Sequence, residues 1–275
     1  MGFESVLLTA GLALYGTATV AYMWFLIQGS LGAKRCAGAT AAIGLACHTC
    51  AVAYLVSTRG IAPFYDVPGA LLFVTWAAMA LYLWASRIHR ITGLGSAICL
   101  IVFGTIAFVL MLQHNQSARL AVMPDNRWSV LHIVASLLGY AGFMLAFTAG
   151  VAYMLQERML KTKHIRGFQK RMPSLDATDQ FAYRMVTIGF FMQTLGIVAG
   201  SLWASTAWGR FWDWSGKETW SLATWLVYAV YLHVRGIAGW HGKWANRLLI
   251  IGFCCVLVTF FGVSLATEGL HGSCW

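Results

Sequence analysis

The chain predicts an all-α, polytopic integral membrane protein of about eight transmembrane helices, and three observations carry that expectation. Of its 275 residues, 59% are hydrophobic and only 10% charged, with a mean hydropathy of +0.69, too little polarity to cover a water-soluble surface. Apolar runs of about 20 residues, enough to cross a bilayer core of roughly 30 Å, recur from end to end. The charges sit in the breaks between those runs and crowd into alternate breaks. A soluble globule, a disordered chain, a disulfide-stapled mini-protein and a nucleic-acid binder are excluded, despite a formal charge of +10.

The runs give eight spans: Val6 to Gln28, Ala37 to Ser57, Gly69 to Ser86, Gly93 to Gln113, Ser129 to Gln156, Met185 to Trp203, Thr219 to Val234, and Leu248 to Ala266. Each is expected to be helical, because hydrocarbon leaves no partner for a free backbone amide or carbonyl. The breaks after spans one, three, five and seven hold fourteen Lys and Arg against three acidic residues, whereas the other side holds five against six. Basic loops stay cytoplasmic, so an even number of spans leaves both termini on the outer, exoplasmic side. Met1-Gly2-Phe3-Glu4 is acidic where a cleaved signal would be basic, so the first span is expected to remain. The break 157–184 is the sizeable cytoplasmic segment, with its basic first half at the anionic lipid surface. With no internal repeat, residues 1–275 read as a single membrane domain.

Cys47-His48-Thr49-Cys50 has CxxC spacing, but it lies inside an apolar span and lacks the CxxCH order of haem attachment. Small residues packing a helix face explain it.

The outer segment 205–218 and its continuation carry the strongest chemical signal: Trp208-Gly209-Arg210-Phe211-Trp212-Asp213-Trp214-Ser215-Gly216-Lys217-Glu218-Thr219-Trp220. An interfacial aromatic belt accounts for one or two Trp at a helix end. It does not account for Trp208, Trp212 and Trp214 interleaved with Arg210, Asp213, Lys217 and Glu218. Indole faces beside cations suit a large planar ring bearing carboxylates, which packs on Trp and pairs with Arg and Lys. Haem is such a molecule.

Haem iron takes axial ligands, most often neutral His. His132, just inside span five, and His271, after span eight, fall on the same outer side as the tryptophans. His233 lies about 14 residues, roughly 21 Å, inward from the start of span seven. An ionisable residue there is a functional candidate for a second haem near the cytoplasmic leaflet, the alternative being a hydrogen-bonded interior His. His48 sits at a different depth and makes a poor axial partner for it.

The tract from Trp208 to His233, WGRFWDWSGKETWSLATWLVYAVYLH, closely resembles the tryptophan-rich (WWD) signature of the CcsA-type, or ResC-type, cytochrome c biogenesis proteins of the haem-handling superfamily. The segments SVLHIVASLLGYAGF with YMLQER, and FFGVSLATEGLHG, look like the family's two outer-His segments. The order of His132, the tryptophan signature, His233 and His271 matches too. The likeness covers about the C-terminal 150 residues well and the rest loosely.

The resemblance implies a component of the system II cytochrome c synthetase. In that family, haem b (iron protoporphyrin IX) is moved outward, held between His132 and His271 against the loop, and joined to the CxxCH thiols of an apocytochrome c. His233 matches a membrane-embedded His whose axial partner comes from a CcsB/ResB-type subunit. A thioredoxin-like thiol reductant is a further implied partner, and the implied location is the bacterial cytoplasmic membrane or the thylakoid membrane. No catalytic residue of the chain's own is required.

The chain departs from the family at Ser215-Gly216, where Asp-Pro is usual, at Ser264, where Asn is frequent, and at Asp66-Val67-Pro68-Gly69-Ala70, which replaces an Asn-x-Tyr-Glu-Ser-like run. Losing a carboxylate at 215 removes a charge beside the expected ligand environment, and Gly216 loosens a turn that Pro fixes. Two other readings remain open at this point: a haem b electron-transfer subunit of a respiratory complex, and a polytopic transporter or scaffold without haem.

Overall fold

The computed structural model describes residues 2–89, 91–113, 126–162, 167 and 171–262. Eight helices follow one another: α1 (Phe3–Gln28), α2 (Leu31–Arg59), α3 (Val67–Ile88), α4 (Gly95–Gln113), α5 (Arg127–Lys161), α6 (Leu175–Trp208), α7 (Gly216–Gly236) and α8 (Lys243–Leu257). A π-helical turn, Val258–Gly262, prolongs α8, and single 3-10 turns at Ala62–Tyr65 and Thr92–Leu94 precede α3 and α4. No strand occurs among the described residues. Seven of the helices are long and apolar enough to cross a membrane; α7, with 21 residues, is long enough but less apolar.

Helix covers each of the first seven expected spans, in most cases beyond the apolar run. The eighth is covered by α8 with its π turn as far as Gly262, the rest of that span lying outside the described residues. The 35 residues of α5 and the 34 of α6 rise to about 50 Å each at 1.5 Å per residue, well beyond a roughly 30 Å hydrocarbon core. Helix therefore enters the connection expected over 157–184 from both sides, α5 as far as Lys161 and α6 from Leu175. Hydropathy marks where lipid ends, but a helix continues into water while its backbone bonds and caps favour it. Here Glu157 and Lys161 form an i,i+4 ion pair at 2.7 Å. Ser174 Oγ accepts from the Ala177 amide at 3.1 Å and caps α6.

The chain forms two compact units, Met1–Met123 with Val151–Phe181, and Pro124–Gly150 with Ala182–Trp275. In the first, α1 buries Leu8, Gly11, Tyr15, Ala18, Tyr22 and Leu26, steps of three and four residues that make one helix face. It packs on α2 and α4. Gly29, in the left-handed region at φ +75°, closes α1, and Ser30 caps α2 one residue later. The Arg171 guanidinium donates to the Leu26 and Ile27 carbonyls, at 3.0 and 2.5 Å, and so satisfies the free end of α1. His48 is fully buried on α2 with its ring edge-on to Tyr15.

The tract at 66–70 is a helix start. Asp66 Oδ1 accepts from the Gly69 amide at 2.8 Å, Pro68 occupies the first turn, and a Cβ on Gly69 would fall 1.8 Å from the Pro63 carbonyl oxygen.

In the second unit α5 and α6 meet backbone to backbone. A Cβ on Gly142 would lie 2.8 Å from the Met185 carbonyl and 3.0 Å from the Gly189 Cα, the small-residue contact by which membrane helices associate. Tyr228 of α7, fully buried, stacks on Phe143 at 3.7 Å and 6°. A Cβ on Gly252 of α8 would meet the same ring at 2.7 Å.

Candidate functional site

The tryptophan segment is less a loop than two helix ends joined by a short turn. Gly209, at φ +72°, ends α6, and α7 begins at Gly216, so within 205–218 the non-helical residues are 209–215. Trp208 closes α6, whereas Lys217, Glu218 and Trp220 lie in the first turns of α7. Ser215 supplies the N-cap: its hydroxyl accepts from the Glu218 amide at 3.4 Å, while one oxygen of Glu218 accepts from the amides of Ser215 at 3.1 Å and Asp213 at 2.8 Å. This is a capping box extended by one residue. Ser215 thus caps the helix, as an Asp at this position also could.

Between those two amides sits Trp214, the one non-glycine residue with positive φ among those described, at +54°. A bulky residue there stores strain of about 1–3 kcal/mol. The Glu218 bonds on either side, and the Thr219 hydroxyl donating to the Trp214 carbonyl at 3.2 Å, hold it. The result is a presented indole: Trp214 is 70% exposed, with Phe211 at 61% and Trp208 at 53%. Trp212 is half-buried, edge-on to Trp214 at 5.9 Å, and its indole N–H is buried without a partner.

The charges separate into spent and available. Arg210 pairs with Asp213 at 2.5 Å, both well exposed, a pair worth little in water. Glu218 is engaged with backbone amides. Lys217 is exposed and has no carboxylate partner among the described residues.

Gly216 occupies the first helical position, where Pro is preferred. Ser215 already has φ −59° and ψ 159°, the conformation a following Pro demands. Gly216→Pro should therefore stabilise the turn by about 0.4–1 kcal/mol, read as a raised thermal midpoint of the detergent-solubilised protein; a lowered midpoint would show that the amide at 216 is needed.

His132 lies in the second turn of α5, in the same unit. Its Nδ1 is 2.7 Å from the Gly196 carbonyl of α6, and its ring stacks on Trp203 at 6.3 Å and 23°. Trp203 in turn lies 5.0 Å from Trp208, so an aromatic run leads from His132 to the turn. The Asn126 amide donates to Thr206 Oγ1 at 3.1 Å and ties the start of α5 to the end of α6. Trp203, Gly196 and Gly200 are contributors that sequence reasoning missed. The one signal was the Gly-x-x-x-Gly spacing of 196 and 200, which reads as ordinary helix packing.

His233 is exposed in the last turn of α7, roughly 26 Å along the helix from Gly216. It belongs to a different end of the unit from the tryptophan turn. His271 and Ser264 lie outside the described residues. No cluster of three or more His, Cys, Asp or Glu capable of holding a bare metal ion occurs among the described residues.

Eight helices, seven of them long and apolar enough to cross a membrane, define an integral membrane protein, and its second unit carries an exposed aromatic turn with cations beside it. The comparisons with known proteins agree on its kind. Residues 64–271 match the family model described as cytochrome C assembly protein. The chain is 27% identical over a 315-residue alignment to the cytochrome c biogenesis protein CcsA of Synechocystis sp., covering 95% of this chain and 92% of that one. It is 30% identical over 253 residues to the CcsA of Guillardia theta, covering 84% and 83%. Its fold is similar to that of the cytochrome c haem lyase CcmF, with a TM-score of 0.72 at 18% identity over 98% of this chain, which spans about half, 49%, of that structure. The chain belongs to the cytochrome c assembly protein family, as a CcsA-type member, and its role is cytochrome c biogenesis.

Proposed function

We propose that this protein presents haem b at the outer face of its membrane for covalent attachment to apocytochrome c. His132 and His271 would hold the iron, and the turn of Trp208, Trp212, Trp214 and Trp220 would be the platform for the ring. The observation that carries this is His132: its Nδ1 is engaged by a backbone carbonyl, its ring is backed by Trp203, and Nε2 has no hydrogen-bond partner among the described residues. A metal-ligating His carries such an outer bond on its far nitrogen. The residues present fit an iron porphyrin: an unclaimed imidazole nitrogen, exposed indole faces, and Lys217 as a cation free to meet a propionate, with Arg210 released from Asp213 as a second.

Bound haem supplies two vinyl groups, to which the CxxCH thiols of the client add. The chain's own contribution is to hold and orient, which lowers the barrier by making the encounter effectively intramolecular. Glu218 serves by fixing the turn and Trp214. His233 would hold a second haem toward the cytoplasmic leaflet, together with a residue from a CcsB/ResB-type subunit. A thioredoxin-like reductant keeps client thiols reduced. Both termini face outward, in a bacterial cytoplasmic or thylakoid membrane.

Haem content of purified His132→Ala, His271→Ala and His233→Ala proteins tests this. The first two should lose the same haem pool, at least about tenfold, and the third a separate pool. Wild-type Soret absorbance in all three at equal expression would end the ligand assignment.

A further inference from the structure

We infer that Gly196 and Gly200 of α6 form a seat that fixes the tautomer and position of the His132 ring, making them positioning residues for haem ligation. The inference rests on His132 being the ligand proposed above. The Gly196 carbonyl has no hydrogen to give, so at 2.7 Å it can only accept; the proton of neutral His132 therefore sits on Nδ1, and the lone pair is on Nε2.

The carbonyl is within reach because α6 carries no side chain at two successive turns. A Cβ on Gly200 would lie 2.6 Å from His132 Nδ1 and 2.9 Å from Cε1, in the edge of the ring that makes the bond. A Cβ on Gly196 would lie 2.4 Å from Ser136 Oγ and 3.1 Å from the Ser136 amide, one turn further along α5. The Gly196–Gly200 pair thus does more than let two helices approach. Gly196 admits the α5 backbone, Gly200 leaves a space that the imidazole fills, and Trp203 covers one face of the ring. The ring is clamped by a hydrogen bond, a steric floor and an aromatic wall, all from one helix.

Two arms test the seat on the full chain purified with its endogenous haem. In the first, Gly200→Ala should cut haem retention about 10–100-fold, the usual cost of a lost outer-shell contact. Gly104→Ala, whose added methyl meets nothing within 4 Å, should leave it unchanged. In the second, His132→Gly protein is titrated with small azoles while the Soret band is followed. Imidazole and 4-methylimidazole, which keep an N–H for the Gly196 carbonyl, should restore the band. The similarly small 1-methylimidazole, which ligates iron but has no N–H, should need at least about tenfold more.

Equal rescue by 1-methylimidazole, or wild-type haem content in Gly200→Ala, overturns the seat while leaving His132 as ligand. Full haem in His132→Gly without any azole overturns the outer-site reading itself, and the seat with it. If no azole restores the band, the Gly200→Ala arm decides alone.

Discussion

Gly142→Leu should leave little folded protein. A single added carbon at this position already falls 2.8 Å from the Met185 carbonyl and 3.0 Å from the Gly189 Cα. Both are backbone atoms that no rotamer change can move. Three further carbons force α5 and α6 apart, and the second unit loses the approach on which Phe143 stacks against Tyr228. Overpacking a tight core costs about 1–3 kcal/mol even where side chains can give way. Here the cost should exceed that range and take up much of the roughly 5–15 kcal/mol that holds a typical domain folded. Yield of monodisperse protein in mild detergent, with its thermal midpoint, is the measurement. Gly104→Leu, at an exposed position with nothing near its Cβ, should behave as wild type. A Gly142→Leu protein with an unchanged midpoint would mean that the α5–α6 contact is not tight.

Glu218→Ala should disable the tryptophan turn while sparing the fold. The carboxylate accepts from the Asp213 and Ser215 amides, so its loss frees two donors and removes half of the capping box on α7. A charged acceptor of this kind is worth about 1.5–3 kcal/mol per bond where it is desolvated, and less here because the turn is exposed. That is still comparable with the strain of about 1–3 kcal/mol in Trp214 at positive φ, so Trp214 should relax and the presented indole face should be lost. Haem content is expected to fall about tenfold or more, with far-UV circular dichroism unchanged. Glu218→Gln retains an acceptor and should recover much of the loss. If Glu218→Ala binds haem as wild type does, the turn is not held by this carboxylate.

The candidate site was legible in part, and the pattern of what was missed is physical. Indole and imidazole positions are visible in sequence because few other residues do their work. The state of the charges was not. Arg210, Lys217 and Glu218 look alike as members of a charged, aromatic tract, yet one is paired with Asp213, one is exposed, and one is engaged with backbone N–H groups. Ser215 looked like a lost carboxylate and is a helix cap. The segment 157–184 read as a cytoplasmic loop because its charges interrupt the hydropathy, though two helices run well into it from either side.

By itself the amino-acid order determined that the chain crosses a membrane as helices, where the apolar stretches lie, and which aromatic and imidazole groups are candidates for haem. The first two are sums of local transfer free energies and backbone satisfaction, and the third is the chemistry of the side chains themselves; none depends on which helix packs on which. Only the tertiary structure decided that His132 faces the Gly196 carbonyl across 64 residues of chain, that Trp203 backs its ring, and that Trp214 is held in a strained, exposed pose. The first two bring distant segments to 2.7 and 6.3 Å of one another, a closeness no local pattern encodes; the pose of Trp214 rests on bonds to residues at most five positions away, which only the folded turn reveals.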